Sequence, residues 1–279
     1  MVQGVDSQGL IHKSKESHKQ GIKKMSEKIK IGIIGCGFVG GALKTWIEEN
    51  NSENCELFIS DPPKGYNDDL SQIDIAFVQI HVPTEEDGTQ DLTLMKELIR
   101  KLPDVPVFVR TTILPGTSDL LSRETGHNVC FMPEFLTERT YIEDFRRQPM
   151  VFTGVPELLH KIFRNKFYVE MTPLEAEITK YGHNVFGAYK VIYFNALYEY
   201  CQKMGADFQK VQRGCLLSGY INDTHTFVPG PDGKFGYGGK CFPKDVNAFA
   251  NLTKGTSMGR LLEPMHELNV HFRGFEEHI

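Results

Sequence analysis

The chain has 279 residues, 40% hydrophobic and 24% charged, with a formal net charge of −5, a length that can bury the cores of two ordinary soluble domains. A negative balance with no basic stripe beyond the N-terminal tail excludes a dedicated nucleic-acid binder. No apolar run has transmembrane length or the look of a signal-peptide core. The six cysteines, at positions 36, 55, 130, 201, 215 and 241, form no CxxC pair, so no disulfide framework or metal site is expected and a reducing cytoplasm fits.

Residues 1–28 are polar and rich in Lys, Ser, Gln and Gly, and read as a disordered tail. A β-branched strand is expected over 28–34. It runs into Gly35-Cys36-Gly37-Phe38-Val39-Gly40 and then a helix over 41–50. This is GxGxxG between a strand and a helix, the context a dinucleotide loop requires. Gly35 makes the tight turn, Gly37 lets a pyrophosphate approach, and Gly40 lets helix and strand pack. The helix N-terminus offers free N–H groups and its positive dipole end to phosphate. A second strand over 56–60 ends at Asp61. An acid there can accept the ribose hydroxyls of adenosine and so favours NAD over NADP. It can equally be a plain turn residue before Pro62-Pro63, and the nearby Lys64 weakens the preference for NAD.

Further strands are expected over 75–80, 107–110 and 129–132, with a helix over 92–101 after an acidic loop. Alternating short buried strands and helices indicate an α/β fold with a doubly wound parallel sheet. Ligands of such sheets lie at the carboxyl ends of the strands. Those ends carry His81-Val82-Pro83-Thr84, Thr111 to Thr117, and Pro133-Glu134-Phe135-Leu136-Thr137-Glu138. Any one of these polar groups alone would more often be a loop cap.

Pro173 opens a long helix expected over 174–204, with Gly205 as its stop. It is apolar on most faces and reads as a central packed helix. Lys180 and Asn184, four apart, share one of its faces. They are either a solvent-facing edge or a pair of donors aimed at a substrate oxygen. Helices are also expected over 207–217, 246–252 and 261–272. Between them stands Phe235-Gly236-Tyr237-Gly238-Gly239-Lys240-Cys241-Phe242-Pro243-Lys244-Asp245. A cysteine after a glycine-rich bend is either a buried residue in a turn or a nucleophile, with Lys240 or Lys244 favouring its thiolate and Asp245 handling protons or water.

Together these motifs resemble the UDP-glucose/GDP-mannose 6-dehydrogenase family over about 30–252. The elements are GxGxxG with Asp61, Pro83-Thr84, Thr-Thr-Ile-Leu-Pro-Gly-Thr at 111–117, Pro-Glu-Phe-Leu-x-Glu at 133–138, Glu-x-x-Lys-x-x-x-Asn at 177–184, Gly-Ala-Asp at 205–207, and GYGGxCFPKD at 236–245. The last is the most specific. The resemblance implies a Rossmann-like domain over 29–172. A mostly helical domain over 173–279, similar to the 6-phosphogluconate dehydrogenase C-terminal-like domain, would follow and mediate a homodimer. It implies oxidation of a nucleotide-sugar CH2OH to the carboxylate with two NAD, through a thiohemiacetal and a thioester on Cys241. Lys180 and Asn184 would stabilise the oxyanion. Asp245, Glu138 and Thr112 would activate water and move protons.

The same resemblance implies NAD contacts from Gly35, Gly37, Phe38, Val39, Gly40, Asp61, Val82, Pro83, Thr84, Thr112, Glu138 and Lys244. Substrate contacts would come from Glu134, Phe135, Leu136, Lys180, Asn184, Phe235, Gly236, Gly238 and Cys241. Three departures stand out. Only about 30 residues follow the matched stretch, too few for the family's C-terminal nucleotide-sugar-binding domain, so a short form is expected. The loop 218–223 lacks the family's arginine, and Lys240 stands where the family has a small residue. A two-electron hydroxyacid-type dehydrogenase and an NAD-binding relative that needs a partner are the alternatives.

Overall fold

The strands of the main sheet are short and buried on both faces, as a parallel sheet covered by helices requires. In β2 (Ile29–Ile34), Ile31 and Ile33 pack into one core and Ile34 into another. In β5 (Ile75–Val78), Ile75 and Phe77 divide from Ala76 and Val78 in the same way. This alternation follows from the two-residue period of a strand. The computed structural model describes residues 12–13, 27–85 and 87–273.

After β1 (His12–Lys13) and β2, the chain continues through α1 (Phe38–Asn50), β3 (Cys55–Asp61), β4 (Tyr66–Asn67), β5, α2 (Thr93–Arg100), β6 (Val107–Val109), α3 (Thr117–Thr125), β7 (Val129–Phe131), α4 (Tyr141–Arg147), β8 (Met150–Phe152), α5 (Pro156–Ile162) and β9 (Phe167–Glu170). The larger sheet has the order β4-β3-β2-β5-β6-β7, parallel except for β4. The chain leaves β2 for β3 on one side and returns to β5 on the other. The carboxyl ends of β2 and β5 therefore form the switch point where ligands of such sheets bind. A second sheet, β1-β9-β8, pairs β9 antiparallel with β1 and parallel with β8. The helical part holds α6 (Pro173–Met204), α7 (Phe208–Leu216), α8 (Phe242–Leu252) and α9 (Ser257–Arg273).

The chain divides into two units. One comprises Met1–Pro83 and Asp91–Lys180, the other Thr84–Gln90 and Tyr181–Ile279. The expected disordered tail lies almost wholly outside the described residues. Within it His12–Lys13 form a strand, because Tyr168 and Phe167 offer them backbone partners. Helix α1 starts three residues before the expected 41, since the helical turn begins inside the glycine motif. Helix α8 starts at Phe242 and not at 246. Pro243 falls in its first turn, where a missing N–H costs nothing. Helix α9 extends beyond the expected 261–272 and contains Pro264. The expected start of α7 at 207 is its cap: the Asp207 side chain accepts from the N–H groups of Gln209 and Lys210.

Arg110 and Lys166 are cations buried in the first unit. Arg110 is 1% exposed, lies over the Phe145 ring, and has no hydrogen-bond partner at Nε or Nη1. Lys166, 5% exposed, donates to the carbonyls of Phe145 and Gln148. Burial pushes Lys166 down to about 8 from its ordinary 10.5, and the Arg110 charge adds to the effect. The unfolded lysine keeps its proton up to about 10.5 while the folded one releases it near 8, so unfolding takes up a proton between these values. Stability is expected to rise from pH 8 toward 10.5, by up to about 3 kcal/mol from this residue. Denaturant titrations at pH 7.5 and 9.5 should show the rise in the native chain and lose it in Lys166→Met. An equal rise in both would refute the assignment.

Candidate active site

In the first unit the glycine motif forms a cradle at the switch point. Gly35 has φ +86°, and a Cβ there would come 2.7 Å from the Gln79 carbonyl oxygen. A Cβ at Gly40 would come 2.2 Å from the Gly35 oxygen. These two glycines are demanded by the packing of loop, helix and strand. Gly37 differs: it is exposed, and a Cβ on it would meet nothing within 4 Å. It is the N-cap of α1 and supplies no side-chain cap, so the first-turn N–H groups are left to a ligand. Phe38 and Val39 are half-buried in that turn, the Phe38 ring lying 6.3 Å from Tyr141.

Asp61 ends β3, and its Oδ2 accepts from the Cys36 N–H at 2.7 Å. Lys64 Nζ lies 4.0 Å from that carboxylate and donates to the Cys36 carbonyl at 2.7 Å. The acid is thus docked on the glycine loop. Val82 is buried, Pro83 exposed, Thr112 half-buried and Glu138 exposed. The adjacent Thr111 hydroxyl donates to the Ile80 carbonyl at 2.6 Å. An uncapped helix start, an open Gly37 face and an acid at the end of β3 fit a dinucleotide.

The same unit contains a buried ion pair. Lys180, 4% exposed, has its Nζ 3.0 Å from Glu134 Oε1 and also donates to the Glu134 main-chain carbonyl. Glu134 Oε2 accepts from the Leu136 N–H at 2.7 Å, and the Lys180 ammonium sits 5.6 Å from the centre of the Phe135 ring. Glu134 therefore orders its own loop and fixes the lysine. One turn earlier on α6, Glu177 is fully buried and accepts from the N–H groups of Gly116 and Ser118 and from the Ser118 hydroxyl, at 2.6, 2.8 and 2.7 Å. Burial pushes its carboxyl up while the three donors oppose the shift. The glutamate of the Glu-x-x-Lys-x-x-x-Asn pattern thus anchors the loop 111–118.

In the second unit Cys241 is exposed, in no disulfide, and stands at the N-cap of α8. Asp245 lies in the first turn of that helix, 1% exposed, an acid where the dipole favours one. Asn184 Nδ2 donates to Asp245 Oδ2 at 2.6 Å, and Lys244 pairs with Oδ1 of the same carboxylate. The Asn184 Oδ1 faces His183 Nδ1 at 3.1 Å. Thr84, in the stretch counted with this unit, bridges to Gln90, and its buried hydroxyl has no hydrogen-bond partner. Phe235 is 37% exposed and packs against Tyr198.

Of the candidate residues, the structure joins Lys180 to Glu134, Asp61 to the glycine loop, and Asn184 and Lys244 to Asp245. Gly236 and Gly238 approach Asn269 and Arg273, two residues sequence reasoning passed over. The signal available for them was an asparagine and an arginine four apart in an otherwise mixed helix. Among the described residues no helix is long and apolar enough to cross a membrane.

Residues 174–271 match the central domain of the UDP-glucose/GDP-mannose dehydrogenase family. A UDP-glucose 6-dehydrogenase of Rhizobium meliloti is 33% identical over 219 residues, 68% of this chain and 49% of that protein. The enzyme of the same name from Rickettsia bellii is 28% identical over 225 residues, 73% and 51%. The chain thus spans about half the length of the curated relatives it matches. A UDP-glucose dehydrogenase structure from Pyrobaculum islandicum superposes with a TM-score of 0.70 at 21% identity, covering 90% of this chain and 70% of that one. A GDP-mannose dehydrogenase structure from Pseudomonas aeruginosa gives 0.58 at 22%, covering 87% and 68%. Both share the fold, a parallel α/β sheet domain followed by a helical domain.

Proposed function

Since this chain belongs to the UDP-glucose/GDP-mannose dehydrogenase family, with that family's central domain at 174–271, we propose that it is an NAD-dependent dehydrogenase that oxidises the CH2OH of a nucleotide sugar to a carboxylate. The observation that carries the reading is the helix start at Cys241, with Asp245 in its first turn bonded to Asn184. A bound nicotinamide would take up the hydrogen and electron pair leaving the carbon in each of two oxidations. The glycine loop with Phe38 and Val39, Asp61, Val82, Pro83, Thr84, Thr112, Glu138 and Lys244 would hold that cofactor.

The chain's own groups do the rest. The first-turn N–H groups of α8 favour a thiolate at Cys241. Its sulfur adds to the aldehyde carbon, forming a C–S bond while the carbonyl oxygen becomes an alkoxide. Lys180 and Asn184 donate to that oxygen. Once the carbon is oxidised, the adduct is a thioester. Asp245, already held by Asn184 and Lys244, takes a proton from water as the water attacks the acyl carbon. The C–S bond breaks, and carboxylate and thiolate are released. Glu138 and Thr112 assist proton movement, and Glu134, Phe135 and Leu136 shape the sugar loop together with Phe235, Gly236 and Gly238.

The test is product stoichiometry. Purified protein with NAD and UDP-glucose, GDP-mannose or UDP-N-acetyl sugars should form two NADH per sugar and a carboxylate detectable by mass spectrometry. One NADH per substrate, unaffected by thiol alkylation, would point instead to a two-electron dehydrogenase.

We also assign the working form as a homodimer, supported by a stripe on α6. Phe186, Tyr189, Tyr193 and Tyr200 are 67, 39, 51 and 59% exposed, and their spacing places them on one side of the helix. Sedimentation velocity should show a dimer that Tyr193→Glu converts to monomer. A wild-type monomer at every concentration would refute this.

A further inference from the structure

We propose that Asn195, Asn269 and Arg273 form a clamp under the loop that presents Cys241, and that this clamp occupies the space a side chain at Gly236 or Gly238 would need. The consequence for turnover rests on Cys241 being the nucleophile; the clamp itself does not.

The loop's backbone is held by side chains. Gly236 N–H donates to Asn195 Oδ1 at 3.0 Å. Tyr237 N–H donates to Asn269 Oδ1 at 2.7 Å, and Asn269 Nδ2 returns a bond to the Tyr237 carbonyl at 3.1 Å. The two asparagines are 1% and 0% exposed. A buried amide without partners would be costly, and here the partners are the loop's own N–H and C=O groups. Asn195 comes from α6 and Asn269 from α9, so two helices converge on two consecutive loop residues. Arg273 follows Asn269 by four residues and shares its face of α9. Its side chain is 5% exposed, pairs with Asp232 and reaches the Gly236 carbonyl at 3.4 Å.

The clamp uses the space that side chains would need. A Cβ at Gly236 would come 2.5 Å from Asn269 Oδ1, and one at Gly238 would come 2.5 Å from Arg273 Cζ. A Cβ at Gly239 would meet nothing within 4 Å, so there glycine answers only to its φ of +78°. At 236 the steric bar adds to a φ of +68°, which favours glycine on its own, and at 238 it rests on a guanidinium that Asp232 holds in place. Three residues after Gly238 the chain enters α8 with Cys241 as its cap. The sulfur is located from one side by the helix it starts and from the other by the clamp. Asn195, Asn269 and Arg273 are positioning residues; none is assigned a contact with the sugar.

The experiment is a double-mutant cycle on the full chain, with Gly238→Ala, Arg273→Ala and their combination. The readout is the iodoacetamide alkylation rate of Cys241 at pH 7.5, followed by peptide mass spectrometry. Each single change is expected to slow Cys241 by at least about threefold, and the double variant to be no slower than Arg273→Ala alone, since the steric contact is already gone. Cys215, half-buried in the same unit, serves as the internal control and should keep its rate. Arg273→Lys, which retains a cation for Asp232 but loses the planar fork, should recover part of the loss. Additive slowing, a wild-type rate in Arg273→Ala, or equal slowing of Cys215 would overturn the clamp. The cycle needs no turnover, so a clamp confirmed in a chain inactive on every nucleotide sugar would sink the proposed activity alone. A failed cycle beside an inactive Cys241→Ala would sink the clamp alone.

Discussion

Replacing Cys241 by alanine is expected to reduce carboxylate formation from a nucleotide sugar by at least about a thousandfold while leaving the fold intact. The fold is spared because the thiol is exposed and contributes no side-chain cap to α8. Activity is lost because the sulfur that forms the C–S bond, and with it the thioester, is gone. Without the adduct an aldehyde escapes or is hydrated before a second oxidation. Turnover and melting temperature of Cys241→Ala should be compared with those of Asn184→Ala. The asparagine change removes one oxyanion donor, for which a loss of about a hundredfold to a thousandfold is expected. It also frees Asp245 from a 2.6 Å bond, so its melting temperature should fall as well. Near-native turnover in Cys241→Ala would remove the covalent route.

The second large effect lies in the glycine motif and distinguishes two reasons for a glycine. Gly40→Ala sets a methyl group 2.2 Å from the Gly35 carbonyl oxygen and 3.1 Å from the Gln79 side-chain nitrogen. The obstructing oxygen is backbone at the crossing of β2 and α1, so the helix has to move. The expected cost is about 2–4 kcal/mol of stability together with loss of NAD binding. Gly37→Ala places its methyl group in open space, so stability should hold while NAD affinity falls by tenfold or more, about 1.4 kcal/mol. Thermal unfolding and calorimetric NAD titration on both variants decide the matter. A native melting temperature for Gly40→Ala, or a native NAD affinity for Gly37→Ala, would refute the corresponding half.

Much of the architecture is legible because it is written in local terms. A β-branched run before GxGxxG announces β2 and α1, and the long apolar period of α6 announces itself within a few residues. The elements that sequence reading passed over are short ones: β1, β4, α3, α4, α5, β8 and β9. Each is two to nine residues long, and such short segments carry too few periods to separate helix from strand. Their conformation is set by what they pack against. Phe152 and Tyr168, for example, stack at 4.5 Å across β8 and β9. The start of α8 was displaced because a proline usually ends helical patterns, yet in the first turn it is welcome.

The residues by themselves determined the chemistry on offer: a dinucleotide loop with Asp61, a lysine and an asparagine four apart on one helix, and a cysteine beside Asp245. Those are properties of residue type and spacing, which short-range geometry fixes. Tertiary structure alone decided which groups are engaged. It gave Lys180 to Glu134, set Asn184 and Lys244 on Asp245, and buried Arg110 and Lys166. It also placed Asn269 and Arg273, some thirty residues downstream, beneath the cysteine loop. Such pairings depend on desolvation and on contacts distant in sequence, and spacing carries no record of either.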